Sequence, residues 1–169
     1  MRDAFGGAFM IKLFLVFIFI YICFTALALN YAKAFKVKNM IIDYIENNEI
    51  TDICKMNAKE LMTMETFFET ELIGKKGYSI KEHQPCQNEG YIHDEEGRCT
   101  GYCHPSGIKI QKKGDAQNTE GIYYTVSTYM GWSVPFLSKL SALNGNNQEQ
   151  ETVSGTWEIS GETRVVISK

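Results

Sequence analysis

The sequence predicts an α+β fold: a long N-terminal membrane helix that continues as an amphipathic helix, a second helix, and then a small, mainly antiparallel sheet. Three observations carry that expectation. No side chain from Leu13 to Leu29 is charged, and no Gly or Pro interrupts the chain between Ala8 and Ile73. After about Ser79, turn residues alternate with runs of β-branched and aromatic residues. The 169 residues are 44% hydrophobic with a formal charge of -3, which excludes a disordered tail. Basic residues are interleaved with acids, so nucleic acid is not an expected partner.

Residues 1–7 form an N-terminal flank and residues 8–29 a transmembrane helix. Counted back through Ala8, Phe9, Met10 and Ile11, past Lys12, the apolar run reaches the roughly 20 residues that cross a bilayer as a helix. Lys12 lies near enough to the end of the run to snorkel to the interface. A cleaved secretory signal is the alternative, since Ala26-Leu27-Ala28 has the small-x-small pattern of a cleavage site. Two features oppose it: Asp3 offsets Arg2 in the flank, and the run exceeds the roughly 7–15 apolar residues of a signal core.

Residues 30–50 extend the helix. Leu27, Tyr31, Ala34, Phe35, Ile41, Ile42 and Ile45 recur at three- and four-residue steps, with Lys33, Lys36, Asp43 and Glu46 mostly elsewhere. One unbroken helix to about Asn47 follows. Residues 51–169 then form the α+β domain. Its helix starts at Asn57, an N-cap that Glu60 completes as a capping box, and carries the stripe Leu61, Met64, Phe68 and Leu72. That stripe is read as core packing against the sheet. Gly74 and Gly77 end the helix.

Strands are expected at Gly107–Gln111, Gly121–Trp132, Thr152–Ile159 and Glu162–Ser168, with a hairpin turn at Ser160-Gly161. Pro135 argues against a central strand in the run 132–143, and residues 144–151 read as a polar surface loop. Tyr123, Tyr124, Tyr129, Trp132 and Trp157, at alternating strand positions, are core rather than an exposed aromatic surface.

Cysteine use decides the compartment. Lys33, Lys36 and Lys38 slightly outnumber Arg2 and Lys12, a weak pull toward a cytoplasmic C-terminal part. Outside the span, however, stand four cysteines, Cys54, Cys86, Cys99 and Cys103, an even set suited to disulfides in an oxidising compartment. Cys23, within the span, is a small apolar residue. The domain is therefore expected outside the cytoplasm, on a single-pass cell-membrane protein.

The Cys-rich loop 83–107, "HQPCQNEGYIHDEEGRCTGYCHPSG", also holds all three histidines. The favoured reading is a disulfide-stapled loop; three pairings are possible, and one closed loop contributes roughly 2–4 kcal/mol. A zinc site from Cys86, Cys99, Cys103 and His104 or His93 is the second reading, although structural zinc sites usually bring a C-x-x-C pair and here the spacing is C-x-x-x-C. The third is c-type haem on Cys99, Cys103 and His104, with His93 or a methionine as far ligand, at a spacing one residue too long. No cofactor is expected on the favoured reading. Asp94-Glu95-Glu96 reads as a solvated turn. Nucleophile-elbow, P-loop, H-E-x-x-H and dinucleotide motifs are absent from the sequence, so catalysis is not expected.

A membrane helix running on into an amphipathic half and then a small α+β domain resembles the pilin and pseudopilin layout. The opening "RDAFGGA" is similar to the start of TadE-like pseudopilins. This resemblance implies a structural or assembly component of a bacterial surface or secretion apparatus, with the lipid bilayer and other pilin-like subunits or an assembly platform as partners. It also implies processing after a Gly and a Glu near the fifth mature position; cutting after Gly7 places Lys12 there instead, a reversed charge. Independently of family, Gly6, Gly7, Ala8, Thr25, Ala26 and Ala28 offer small surfaces for helix packing in lipid. The competing expectations are an extracytoplasmic haem- or metal-binding protein and a secreted adhesin or binding module.

Overall fold

In the computed structural model, residues 2–78, 86, 90–114, 122–133 and 154–164 are described. Helix α1 runs unbroken from Arg2 to Asn47, as the absence of Gly and Pro after Ala8 dictates. Its 46 residues amount to about 69 Å at 1.5 Å per residue. The two halves have opposite environments. Large apolar side chains from Phe9 to Phe24 are bare, whereas Ala34, Val37, Ile41 and Ile45 are buried. These last four, three or four residues apart, form the stripe that enters the core. Tyr31 and Phe35, expected on that stripe, instead stay exposed and stack on each other at 6.3 Å. The residue that replaces them on the inward face is Val37, with Lys38 beside it.

A single 3₁₀ turn, Ile53–Lys55, follows, capped by Asp52, whose carboxylate accepts from the Cys54 N–H at 3.1 Å. Helix α2, Ala58–Phe67, opens with the expected capping box: Asn57 Oδ1 accepts from Glu60 N at 2.9 Å, and Glu60 Oε2 accepts from Asn57 N at 3.1 Å. It widens into a π-helical segment, Phe68–Lys75, and ends where Gly77 takes a φ of 62° and donates to the Ile73 carbonyl. Met64, Phe68 and Leu72 are fully buried and Leu61 is half-buried, so the stripe is core.

Among the described residues, five strands form one antiparallel meander in the order β1-β2-β3-β4-β5. They are Gly90–His93, Cys99–His104, Ile108–Lys113, Tyr123–Ser133 and Ser154–Glu162. Three expectations are corrected. The Cys-rich loop contains the β1/β2 hairpin, which its Gly and Cys content disguised; Tyr91 and Tyr102, cross-strand partners in edge contact at 5.9 Å, supply the aromatic pair that steadies it. Ser160-Gly161 is no turn, because β5 runs straight through it, with Ser160 opposite Ser127 and Gly161 opposite Val126. Glycine leaves room there for the Lys38 side chain: a Cβ on Gly161 would meet its ammonium at 2.8 Å, and that flexible end would have to shift. Of the aromatics, Tyr124 and Tyr129 are core and Tyr123 is half-buried, but Trp157 is 60% exposed. The expected last strand beyond Arg164, the run 134–143, the loop 144–151 and the Trp132 side chain lie outside the described residues.

Helix α1 lies chiefly on β4 and β5. Thr128 Oγ1 donates to the Ala34 carbonyl at 3.1 Å, and Arg164 N donates to Glu46 Oε1 at 2.8 Å. Two tyrosine hydroxyls close the core. Tyr124 donates to the Thr51 carbonyl and accepts from Ile53 N, each at 3.0 Å, while Tyr78 accepts from Tyr129 N at 2.8 Å and donates to the Gly107 carbonyl at 2.9 Å. Burial pushes both phenols up, that of Tyr124 to about 12.

Two outcomes follow from this packing. A Cβ on Gly101 would strike the Ile110 carbonyl oxygen and sit 3.1 Å from the Gln111 Cα, all backbone, so Gly101→Ala is expected to lower unfolding free energy by about 1–3 kcal/mol in urea titrations. For Tyr124, a folded pKa above the ordinary 10.0 means that the unfolded state loses its proton first. Its contribution is complete below pH 10 and is lost as pH rises toward 12, so Tm should fall across that window. Tyr124→Phe should start lower, having lost both hydrogen bonds, and show a shallower fall.

Candidate functional site

Three places concentrate the groups that could carry function: the Cys/His stretch, the cleft at the far end of α1, and the bare half of α1 itself.

In the first, Asp94 to Arg98 make the β1/β2 turn. Asp94 Oδ1 accepts from Glu96 N at 3.0 Å and Arg98 N at 2.8 Å, and Oδ2 from Arg98 Nε at 3.0 Å. The Arg98 backbone N–H, with help from its side chain, holds the Asp94 carboxyl below the usual range. Gly97 supplies the φ of 77° that the turn requires, and Arg98 also pairs with Glu96 at 2.7 Å. The acid cluster therefore spends its charge on its own turn. Glu95 is exposed.

All four candidate cysteines lie in disulfides, Cys54–Cys99 and Cys86–Cys103, with Cα separations of 5.9 and 5.8 Å. Both bridges end on β2. The register slips between Ile92 and His93, where Thr100 is an extra residue on β2, so Cys99 departs from the strict alternation that governs Cys103. One bridge reaches back to the 3₁₀ turn and the other to Cys86, the single described residue of its segment. A bridged sulfur is not a thiolate and neither ligates zinc nor forms a thioether until it is reduced. The histidines are apart in environment. His93 is exposed, whereas His104 is buried against Phe68 at 5.6 Å, with Nδ1 accepting from Ser106 N at 3.2 Å and 2.7 Å from Ser106 Oγ. Among the described residues, no group of three His, Cys, Asp or Glu side chains is arranged to hold a metal ion.

The cleft, about 820 Å³ and open to solvent, lies between the end of α1 and the start of α2. Its lining includes Tyr44, Asn48, Asp52, Asn57, Glu60 and Lys112. Four of these hold the fold: Asp52 pairs with Lys112 at 2.9 Å while capping the 3₁₀ turn, and Asn57 and Glu60 form the capping box. This is a polar structural seam.

The bare half of α1 is the remaining feature. From Phe9 it is long and apolar enough to cross a membrane, and none of its most apolar window is buried. Gly7, Thr25, Ala26 and Ala28 are exposed, with open space around Gly7, and Thr25 returns its hydroxyl to the Tyr21 carbonyl at 2.9 Å. The surroundings of Gly6 and of the Ala8 side chain lie outside the described set. Cys23, half-buried, is the free cysteine. Sequence reasoning found this helix but missed the exposed Trp157, for which alternation with the buried Ile159 gave the opposite signal.

No protein-family model matches the chain, and no curated protein or solved structure matches it either.

The bridges carry a graded expectation. They close loops of sequence separation 45 and 17. Loop-closure entropy gives about 4 kcal/mol for the first and about 3 for the second. Cys54→Ser with Cys99→Ser should therefore cost more in urea unfolding than Cys86→Ser with Cys103→Ser, and non-reducing peptide mapping should recover these two pairs.

Proposed function

We propose that the chain is a non-catalytic, single-pass membrane protein whose disulfide-bonded domain lies outside the cytoplasm, acting as a pilin-like structural or assembly component of a bacterial surface or secretion apparatus. The observation that carries this reading is the two-sided α1: bare and apolar from Phe9, buried in the domain core from Ala34. In water the bare half would expose a contiguous run of large apolar side chains, which soluble monomers do not tolerate. A bilayer covers it.

The same helix favours assembly over simple tethering. A tethered enzyme or receptor needs only a flexible linker, but here the span and the core stripe share one rod without a glycine or proline hinge. Such a rod transmits a packing contact made in lipid directly to the domain. Helices in lipid associate through close packing of small residues, and Ala26 and Ala28 stand exposed on α1 about two turns before the core begins. Lys12 in place of an acid at the position the pilin resemblance implies makes this a variant of that layout, with a different polar contact at the start of the helix.

Recovery from membranes is the test. The full chain should resist alkaline extraction and, by N-terminal sequencing, retain the residues before Leu29; a mature start at Leu29 overturns the proposal in favour of a secreted protein. Assembly is read separately. In a Cys23→Ala background, Ala28→Cys should form intermolecular disulfides in membranes, whereas Ile22→Cys, about 120° round the helix from it, should not.

A further inference from the structure

We infer that Lys12 lies near the middle of the bilayer and is the docking point for a transmembrane helix of a different protein, one that carries an Asp or Glu at the same depth. This rests on the membrane reading above and adds to it a depth and a partner.

The sheet sets the depth. Ala34 is tied to Thr128, whose cross-strand partner is Ile159, and Glu46 is tied to Arg164. The helix rises about 18 Å between Ala34 and Glu46 and the strand about 17 Å between Ile159 and Arg164, so α1 and β5 run side by side in one direction. Followed the other way, β5 and its partner β4 continue to Ser154 opposite Ser133, about 17 Å below Ala34 and level with Cys23. The helix surface agrees. Of the described side chains from Phe9 to Lys33, only Cys23 and Leu27 are half-buried, and both point within about 20° of Ala34, toward the sheet.

Among the described residues β5 is an outer strand, and an open sheet edge does not enter hydrocarbon, where its backbone groups find no partner. The hydrocarbon layer therefore begins no higher than Cys23. A layer about 30 Å thick extends from there along about 20 residues of helix, to Asp3. Setting it lower would draw Arg2 and Asp3 inside. Lys12 then falls about 16 Å below the upper surface and about 14 Å above the lower one, and its four-carbon stem reaches neither. The sequence alone placed it at the rim of the span; the sheet moves it to the middle.

A lysine at that depth needs a counter-charge. Its own helix offers none, since no Asp or Glu occurs between Ala8 and Ile42. A second copy in the same membrane brings only its own Lys12 to this depth, a like charge in a low dielectric. A carboxylate on the helix of another protein meets the need. Lys12 is exposed and points within about 20° of Cys23, so a helix seated against it rests beneath the ends of β4 and β5. Ala28 points about 160° away, which leaves that face of α1 for contacts between copies.

Depth and partner are measured separately, on the full chain in phosphatidylcholine vesicles. In a Cys23→Ala background, a nitroxide on Ile22→Cys is compared for access to oxygen and to a water-soluble nickel chelate, and it should sit next to the headgroups. A nitroxide about 10 Å deep, as a span ending at Leu29 requires, overturns the inference and leaves the anchor standing. For the partner, a dansylated polyleucine helix with one central Glu is titrated against the emission of the protein's tryptophans. Energy transfer should reach half-saturation at about tenfold less of this peptide than of the same peptide with Gln, and Lys12→Met should abolish the difference. Equal transfer to the two peptides overturns the inference. Association between labelled copies that disappears in Lys12→Met gives this face to a second copy and overturns it also. Protein lost from the vesicles on alkaline extraction overturns the inference and the membrane reading together.

Discussion

The structure depends on one helix having two environments. From Ala34 onward α1 is a core element like any other: Val37, Ile41 and Ile45 are buried with Tyr124, Val126 and Met130 of β4 and Ile159 of β5 in a single cluster. Before that point no described side chain of α1 is buried. The exchange happens within about one and a half turns, between Leu29 and Ala34, and no hinge absorbs it. Thr128 marks the place, since its hydroxyl bonds to the Ala34 carbonyl, an α-helical acceptor that its own i+4 N–H would ordinarily satisfy alone. The sheet begins to grip the helix there.

Lys38 shows what that grip demands. A lysine on the inward-turned side of a core helix is unfavourable unless its charge finds compensation. Here the stem crosses the strand where Gly161 has no side chain, and the ammonium lies over the Phe35 ring. Glycine in β5 and phenylalanine one turn back on α1 are thus a matched pair around one cation. This accounts for Phe35 facing outward: its ring completes the seat of Lys38 instead of joining the core.

What could be read from the sequence was local. The continuous helix needed only the absence of Gly and Pro, and the second helix announced itself through Asn57, Glu60 and a stripe at helical spacing. Misreadings arose where a residue's reason lies far along the chain. Gly161 looked like a turn because its true neighbour, Lys38, is distant in sequence. Tyr31 and Phe35 fit the apolar period as well as Val37 does, and only the position of β4 decides between the two faces. The β1/β2 hairpin was hidden because its strands are short and rich in Gly, Cys and His, while its stabilising pairs, Tyr91 with Tyr102 and the bridges from β2, become visible only on pairing. Disulfide partners belong to the same class, since spacing alone leaves the pairings equivalent.

The placement of the bridges complements the reach of α1. That helix packs on β4 and β5, at one side of a five-strand meander, and leaves β1 and β2 at the other side to be held by different means. Part of the support is α2, through Glu65 accepting from the Tyr102 hydroxyl at 2.9 Å and Phe68 against His104. The rest is covalent, with both disulfides ending on β2. A short hairpin at the end of a sheet is less stable than its long central strands, and that is where closing a loop in the unfolded chain has the greatest value. A reducing environment would loosen this hairpin first, while the α1-β4-β5 unit, which contains no cysteine pair, would keep its packing. The domain therefore divides into a helix-supported half that redox conditions leave alone and a bridged half whose integrity requires an oxidising compartment, and the division runs through β3.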